Sequence, residues 1–403
     1  MIYKIEIENF YSIRDKQTLD LRASAHAPDT TQRLASCWQG SQEQAPKVVA
    51  LFGANGSGKS NLLRALSFVC WFVQLSFSIP LGARIPNHPF NDRRSFGNPT
   101  RFALWLSGSE KPGSTRQDDT AECPYCYELI LRNGNDGTVQ REGIFFWPTS
   151  TGRKTRLIER LEDGTVKAAK DFGLSGYKRA LEKILRPNAS VVSTLAQLNH
   201  PVASQIVGAA GRCQSNIYIE KVEFSDDFVR ENYIDRPEML RQLNQQISRI
   251  DFGVRALEVV PGKNGQQIMF RHQGLDSPMP LIYESHGTRQ FLKLFPLITY
   301  VLSVGSIAII DELDAAVHPM LLPEIIGWFH DPVRNPHNAQ LWMSCHNVSL
   351  LEELSKEEIV FCEKDWQGRT EIYALGDVKG VRRDENYYKK YLGGVFGAVP
   401  RIG

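Results

Sequence analysis

The chain has 403 residues, with 47 lysines and arginines against 45 aspartates and glutamates. That length is ample for a large α/β domain carrying a second lobe or insertion, and the net charge of +2 excludes a global electrostatic argument for nucleic acid while leaving room for a local basic surface. Seven cysteines at this length exclude a secreted disulfide framework, and the one C-x-x-C, Cys123-Pro124-Tyr125-Cys126, has no partner pair at zinc spacing.

The opening Met1-Ile2-Tyr3-Lys4-Ile5-Glu6-Ile7-Glu8 alternates apolar and polar residues, the pattern of a strand and not of a secretion signal. Residues 2–21 predict two short strands around Asn9-Phe10-Tyr11-Ser12-Ile13, and the polar stretch 22–45 is too poor in periodic apolar residues to be core. Next comes the apolar run Val48-Val49-Ala50-Leu51-Phe52, followed by Gly53-Ala54-Asn55-Gly56-Ser57-Gly58-Lys59-Ser60. This is an unbroken G-x-x-x-x-G-K-S with a strand before it and the helical Asn61-Leu62-Leu63-Arg64-Ala65-Leu66 after it. Three glycines let the backbone wrap closely enough to aim N–H groups at phosphate oxygens, and the helix beginning near Ser60 adds the positive end of its dipole. Gly53 to Ser60, with Asn61, therefore read as the nucleotide-binding residues. Lys59 would reach the β- and γ-phosphates, and the Ser60 hydroxyl would sit on Mg²⁺. The apolar residues 62–79 continue this helix and are broken by Arg64 and Gln74, so they predict a buried core helix and no membrane span. The expected location is the cytoplasm.

Residues 80–100 are rich in Pro, Asn and Arg and read as irregular. From 100 to 166, β-type runs at Phe102-Ala103-Leu104-Trp105-Leu106, 125–131 and Gly143-Ile144-Phe145-Phe146-Trp147 alternate with turns. The pairs Asn133-Gly134 and Asp136-Gly137 mark a tight turn between two of them. The C-x-x-C falls in one of these runs and reads as ordinary sheet residues. Residues 175–210 and 225–250 have helical spacing without sustained heptads, which excludes a long coiled-coil arm.

From residue 281 the α/β pattern resumes. Ser285-His286-Gly287-Thr288 offers a hydroxyl and backbone N–H groups at the start of a helix near 287–302. The strand Ile307-Ala308-Ile309-Ile310 then ends in Asp311-Glu312. Beside a phosphate loop, Asp311 reads as the metal-side acid and Glu312 as the base that polarises the attacking water. A helix is expected at about 319–330 and a strand at Gln340-Leu341-Trp342-Met343-Ser344, after which His346 stands one strand from the acids, placed to contact a γ-phosphate or the water. His318, before Pro319, could equally cap or pack.

These elements, in this order, resemble the ABC-type ATPase head shared by the SMC, RecF and OLD-like proteins. The resemblance implies an α/β phosphate-loop NTPase fold in which two halves, 1–170 and 281–403, flank an inserted and mostly helical lobe, 171–280. It implies that Ser285, Gly287 and Thr288 form the signature that contacts the γ-phosphate on an opposite subunit, that Asp314 lies in the D-loop and that His346 is the switch histidine. A head-to-head homodimer, or a higher homo-oligomer, would then sandwich ATP and Mg²⁺. His286 departs from the small residue many such proteins carry there, and no Q-loop glutamine is assignable in 80–100. The segments Ile5-Glu6-Ile7-Glu8-Asn9-Phe10-Tyr11-Ser12-Ile13, Glu312-Leu313-Asp314 and Tyr391-Leu392-Gly393-Gly394-Val395-Phe396-Gly397-Ala398-Val399-Pro400 are similar, more particularly, to stand-alone AAA/ABC ATPases of bacterial abortive-infection and phage-defence operons, the ATPase subunits of Septu- and retron-type systems among them. Too little chain follows His346 for an appended nuclease domain of about 150 residues, so the resemblance implies a separate nuclease or toxin as effector.

Two functions compete on this reading. One is a sensor or regulatory ATPase that releases a toxic partner; the other is a RecF-like ATPase acting directly on DNA. Arg93-Arg94, Arg153-Lys154-Thr155-Arg156, Lys178-Arg179 and Arg382-Arg383 are the clusters that could meet phosphates. A transporter subunit fits less well, given the large insertion.

Overall fold

The computed structural model describes residues 1–23, 31–113, 121–134, 137–217, 226–250, 253–262, 265–317 and 319–399. Two sheets organise them. One is antiparallel and seven-stranded, running in order Val166–Ala168, Thr155–Arg160, Thr138–Phe146, Glu122–Arg132, Thr100–Ser109, Ile2–Glu8, Gln17–Asp20. The other has six strands in the order Gln214–Ser215, Ile307–Ile310, Gln340–Ser344, Val48–Phe52, Ile359–Lys364, Thr370–Ala374. Its first five strands are parallel and the last is antiparallel.

The parallel strands are buried on both faces, so their sequences read as continuous apolar runs. The pleat then deals alternate residues to different cores. Val49, Leu51, Ile309 and Trp342 face the core shared with the helix Lys59–Leu75 and the antiparallel sheet. Val48, Ala50, Phe52, Ile310 and Met343 face the other, built with the helices His286–Val304 and Leu322–His330. The helix Lys59–Leu75 is thus sandwiched between two sheets and buries Leu62, Leu63, Leu66, Val69, Phe72 and Val73, which is why the residues after the phosphate loop are so apolar. Among the described residues no helix is long and apolar enough to cross a membrane.

Two sequence expectations change. Residues 22–45 contribute to the core after all, because the hairpin Leu34–Ser36 with Gln44–Pro46 buries Leu34, Ala35, Cys37 and Ala45; its strands are too short for periodicity to register. Residues 171–280 divide between the two cores. The helices Val191–Gln197 and Pro201–Gly211 pack on the first, and Gln214–Ser215 joins the parallel sheet as its edge strand. The helices Asp226–Ile234 and Pro237–Ile250, with the sheet Val254–Gly262, Gly265–His272 and Met279–Pro280, belong with the second. The region is accordingly less helical than expected. The turn at 133–137 is described only in part, Asp136 lying outside the described residues. Cys123 and Cys126 are buried free thiols in the strand Glu122–Arg132, as ordinary sheet residues should be.

Candidate functional site

The loop Gly53 to Gly58 joins the strand Val48–Phe52 to the helix Lys59–Leu75 at the carboxyl end of the parallel sheet, where open α/β sheets place their ligands. Two of its three glycines are dictated by contact as well as by dihedral. Gly53 has φ +147°, and a Cβ there would lie 2.2 Å from the Cys362 carbonyl oxygen. Gly58 has φ +109°, and its Cβ would meet Thr370 Oγ1 at 2.2 Å. Thr370 is a floor for the loop, its hydroxyl donating to the Ser57 carbonyl at 2.8 Å and lying 2.7 Å from Ser12 Oγ. Asn61 Nδ2 donates to that same Ser12 oxygen at 2.6 Å.

Lys59 is buried, and its ammonium donates to the Gly53 carbonyl at 2.8 Å and to the Ala54 carbonyl at 3.1 Å. Burial holds its pKa below the ordinary lysine value, against the opposing pull of Cys362, Asp311 and Asp314. Ser57 Oγ, also buried, has no hydrogen-bond partner among the described residues. An orphaned hydroxyl in a loop whose backbone turns around it is the mark of a site built for a ligand with acceptor oxygens.

The acids come from the next strand but one. Asp311 Oδ1 accepts from Ser60 Oγ at 3.0 Å and from Ser344 Oγ at 2.6 Å. The phosphate-loop helix, the acid-bearing strand and the strand between them therefore meet on one carboxylate oxygen. Asn216, just beyond the edge strand, clamps the Asp311 backbone, accepting from its N–H at 2.7 Å and donating to its carbonyl at 3.0 Å. Ser344 Oγ also accepts from the Glu312 N–H at 2.7 Å. Glu312 itself sits at φ +53°, a left-handed conformation that costs a non-glycine residue about 1–2 kcal/mol. The chain turns here, directly after the strand Ile307–Ile310, and enters the helix Leu313–Ala316.

Asp314 ties the turn after the strand Ile307–Ile310 to the segment that follows the strand Gln340–Ser344. Its Oδ2 accepts from the His346 N–H at 2.8 Å and the Asn347 N–H at 2.9 Å, while Oδ1 is buried with no partner among the described residues. His346 is exposed beside this junction. The Ser285 turn stands apart, with Ser285 and His286 exposed at the start of the helix His286–Val304. Ser285 Oγ caps that helix by accepting from Thr288 N–H at 3.1 Å and lies 2.8 Å from Thr288 Oγ1; Gly287 is partly exposed between them. The fold thus gathers Gly53 to Asn61, Asp311, Glu312, Asp314 and His346 at the carboxyl end of the parallel sheet, and leaves Ser285 exposed, Gly287 partly exposed and Thr288 buried beneath them. His318 lies outside the described residues.

Asn216, Ser344, Ser12 and Thr370 escaped the sequence reading as functional positions. Ser344 had a signal, a hydroxyl at the end of the strand beside the acid strand. Asn216 and Thr370 had none, since each meets the site from far along the chain. Two of the four basic clusters are partly paired: Lys154 with Glu128 at 2.7 Å and Arg156 with Glu159 at 3.2 Å in one, and Arg383 with Glu357 in the other.

A glycine-bounded phosphate loop, a buried acid touching its serine hydroxyl and a parallel sheet beneath define a phosphate-loop nucleotide-binding protein of the AAA/ABC ATPase class. Residues 48–352 match the family described as AAA domain, putative AbiEii toxin, Type IV TA system, and the chain belongs to that family. No curated protein matches the chain. Solved structures that align with it include an SMC head bound to the C-winged helix domain of ScpA, at 14% identity and TM-score 0.42, covering 92% of this chain and 97% of that one. The SMC head domain from Thermotoga maritima aligns at 14% identity and TM-score 0.39, covering 93% and 98%.

Proposed function

We propose that the protein binds and hydrolyses ATP with Mg²⁺, that ATP closes two copies head to head, and that this closure makes it the sensor or regulatory subunit of a cytoplasmic anti-phage system acting on a separate toxic effector. The observation that carries the hydrolytic reading is the convergence of Ser60 and Ser344 on one oxygen of buried Asp311, at 3.0 and 2.6 Å. The donor set fits Mg²⁺, a hard cation that takes a hydroxyl, a carboxylate and phosphate oxygens. Ser60 and Asp311 would hold it, and when bound it supplies charge neutralisation on the phosphates.

The chain's own residues do the rest. The loop N–H groups from Gly56 to Ser60 orient the phosphates, and the Lys59 ammonium leaves the Gly53 and Ala54 carbonyls for the β- and γ-oxygens. Glu312 accepts the proton of the attacking water, and His346 orients that water or the γ-phosphate. Ser285, Gly287 and Thr288 of a second copy, with Asp314, complete the site across the interface. The outward-facing Ser285 turn and its exposed neighbours Ile282 and Tyr283, each 72% exposed, support an interface there. The family's toxin–antitoxin description supports the defence role.

The test is nucleotide turnover in two variants. Glu312→Gln should retain ATP binding and lose about 10²- to 10⁴-fold in kcat, the usual contribution of a positioned base, while Lys59→Ala should weaken binding itself. A Glu312→Gln protein that hydrolyses ATP at the wild-type rate overturns the assignment of the base.

A further inference from the structure

The turn that follows the helix Tyr387–Leu392 is packed against the phosphate loop. Ala54, inside the loop, donates its N–H to the Ala398 carbonyl at 3.1 Å. The peptide plane that carries this N–H also carries the Gly53 carbonyl, which accepts from Lys59 Nζ at 2.8 Å. One peptide group therefore links residue 398 to the loop's only ammonium. Ala398 is held in turn by two elements. It sits at φ +56° with its N–H donating to Glu363 Oε2 at 3.1 Å, and its carbonyl accepts a second bond from Tyr391 Oη at 2.9 Å. Tyr373 Oη anchors the preceding turn by donating to the Phe396 carbonyl at 2.7 Å.

Packing closes around these bonds. Phe396 is buried, and Phe361 stacks on both it and Tyr391, with ring centroids 6.0 and 5.4 Å apart. Phe361 is paired in the sheet with Phe52, the last residue before the loop. Gly397, at φ +73°, leaves no room for a side chain, since a Cβ would lie 2.8 Å from both Glu363 Oε2 and Tyr373 Oη. A loose surface turn needs neither a left-handed alanine nor a glycine chosen by contact.

We propose that residues 393–399 are a positioning element for nucleotide binding: they fix the Gly53–Ala54 peptide, and through it the resting place of Lys59, so that the loop meets the phosphates already formed. Binding to a pre-organised loop avoids the ordering cost that a free loop would incur. This rests on the phosphate-binding reading of the loop and concerns affinity, not the chemical step.

The double variant Tyr373→Phe/Tyr391→Phe removes both hydroxyl anchors and keeps every ring. It should raise the Kd for ATP and for ADP alike, by about fivefold to tenfold for two lost hydrogen bonds, with kcat at saturation unchanged. Glu363→Ala should act the same way, and Glu363→Gln, whose amide oxygen still accepts the Ala398 N–H, should restore wild-type affinity. Binding is read with a fluorescent ATP analogue and with ADP, and Tm is recorded for each variant. A lower Tm with unchanged Kd, or a fall in kcat without a change in Kd, overturns the proposal. Wild-type protein that binds neither nucleotide would instead overturn the phosphate-binding reading on which it rests.

Discussion

At the scale of single residues, the loop's glycines differ in what they touch. Gly56 at φ +74° has nothing within 4 Å of a Cβ position, whereas Gly58 at φ +109° would drive its Cβ into Thr370. Both substitutions carry the backbone strain of a left-handed alanine, about 1–2 kcal/mol, and only the second adds a collision. Gly58→Ala should therefore unfold at clearly lower denaturant than Gly56→Ala when both are titrated without nucleotide. Equal midpoints would mean that Thr370 gives way freely and is no floor. The motif letters were readable from the chain alone; Thr370, which explains one of them, lies 312 positions away and was not.

At the scale of elements, the strand beside the loop is pinned at its start by Glu358. Its buried carboxylate accepts from His330 Nε2 at 2.6 Å, Arg33 Nη1 at 2.7 Å and the Ser355 N–H at 2.8 Å, while its carbonyl accepts from the Ala50 N–H at 2.8 Å. One residue joins the end of a helix, the edge of a hairpin and the strand that bears the loop. Burial works to raise its pKa, but the hydrogen bond and charge of His330, with Arg33, outweigh this and hold the carboxyl below the ordinary glutamate value. Because the folded pKa is depressed, the stabilisation is present above the unfolded value of 4.5 and is lost as pH falls through the folded one. Glu358→Ala should cost about 3 kcal/mol at pH 7, the penalty of leaving a buried partner charge uncompensated. That deficit, measured by urea unfolding, should shrink as the pH drops below about 4.5. A deficit that stays constant down to pH 3 would show that packing, not charge, accounts for it. The strand Val48–Phe52 and the helix near 319–330 were legible in apolar runs; the strand Ile359–Lys364 was not read, nor was the hairpin carrying Arg33, whose three-residue strands leave no period to read.

At the scale of the whole molecule, the two halves of the proposed composite site face different ways. Lys59, Asp311 and Glu312 lie at the carboxyl end of the parallel sheet, while Ser285 stands exposed at a helix start with Ile282 and Tyr283 beside it. On the proposed head-to-head arrangement, a second copy would supply what one copy cannot. Light scattering of Glu312→Gln with ATP and Mg²⁺ should show a monomer-to-dimer shift that the nucleotide-free protein lacks. Ser285→Arg should abolish the shift while leaving ATP affinity within about twofold, since a distant surface change ordinarily adds little. A Glu312→Gln protein that remains monomeric with saturating nucleotide would remove the head-to-head model.

The sequence by itself determined the phosphate loop, the acid pair after an apolar strand and the α/β order of elements, because each is a local pattern: a contiguous motif, a strand-length apolar run, a helical period. Tertiary structure alone decided what surrounds them. Asn216 on the Asp311 backbone, Thr370 under Gly58 and Ala398 against Ala54 are contacts between residues far apart in the chain, and no period or spacing encodes a partner that only the folded sheet brings near.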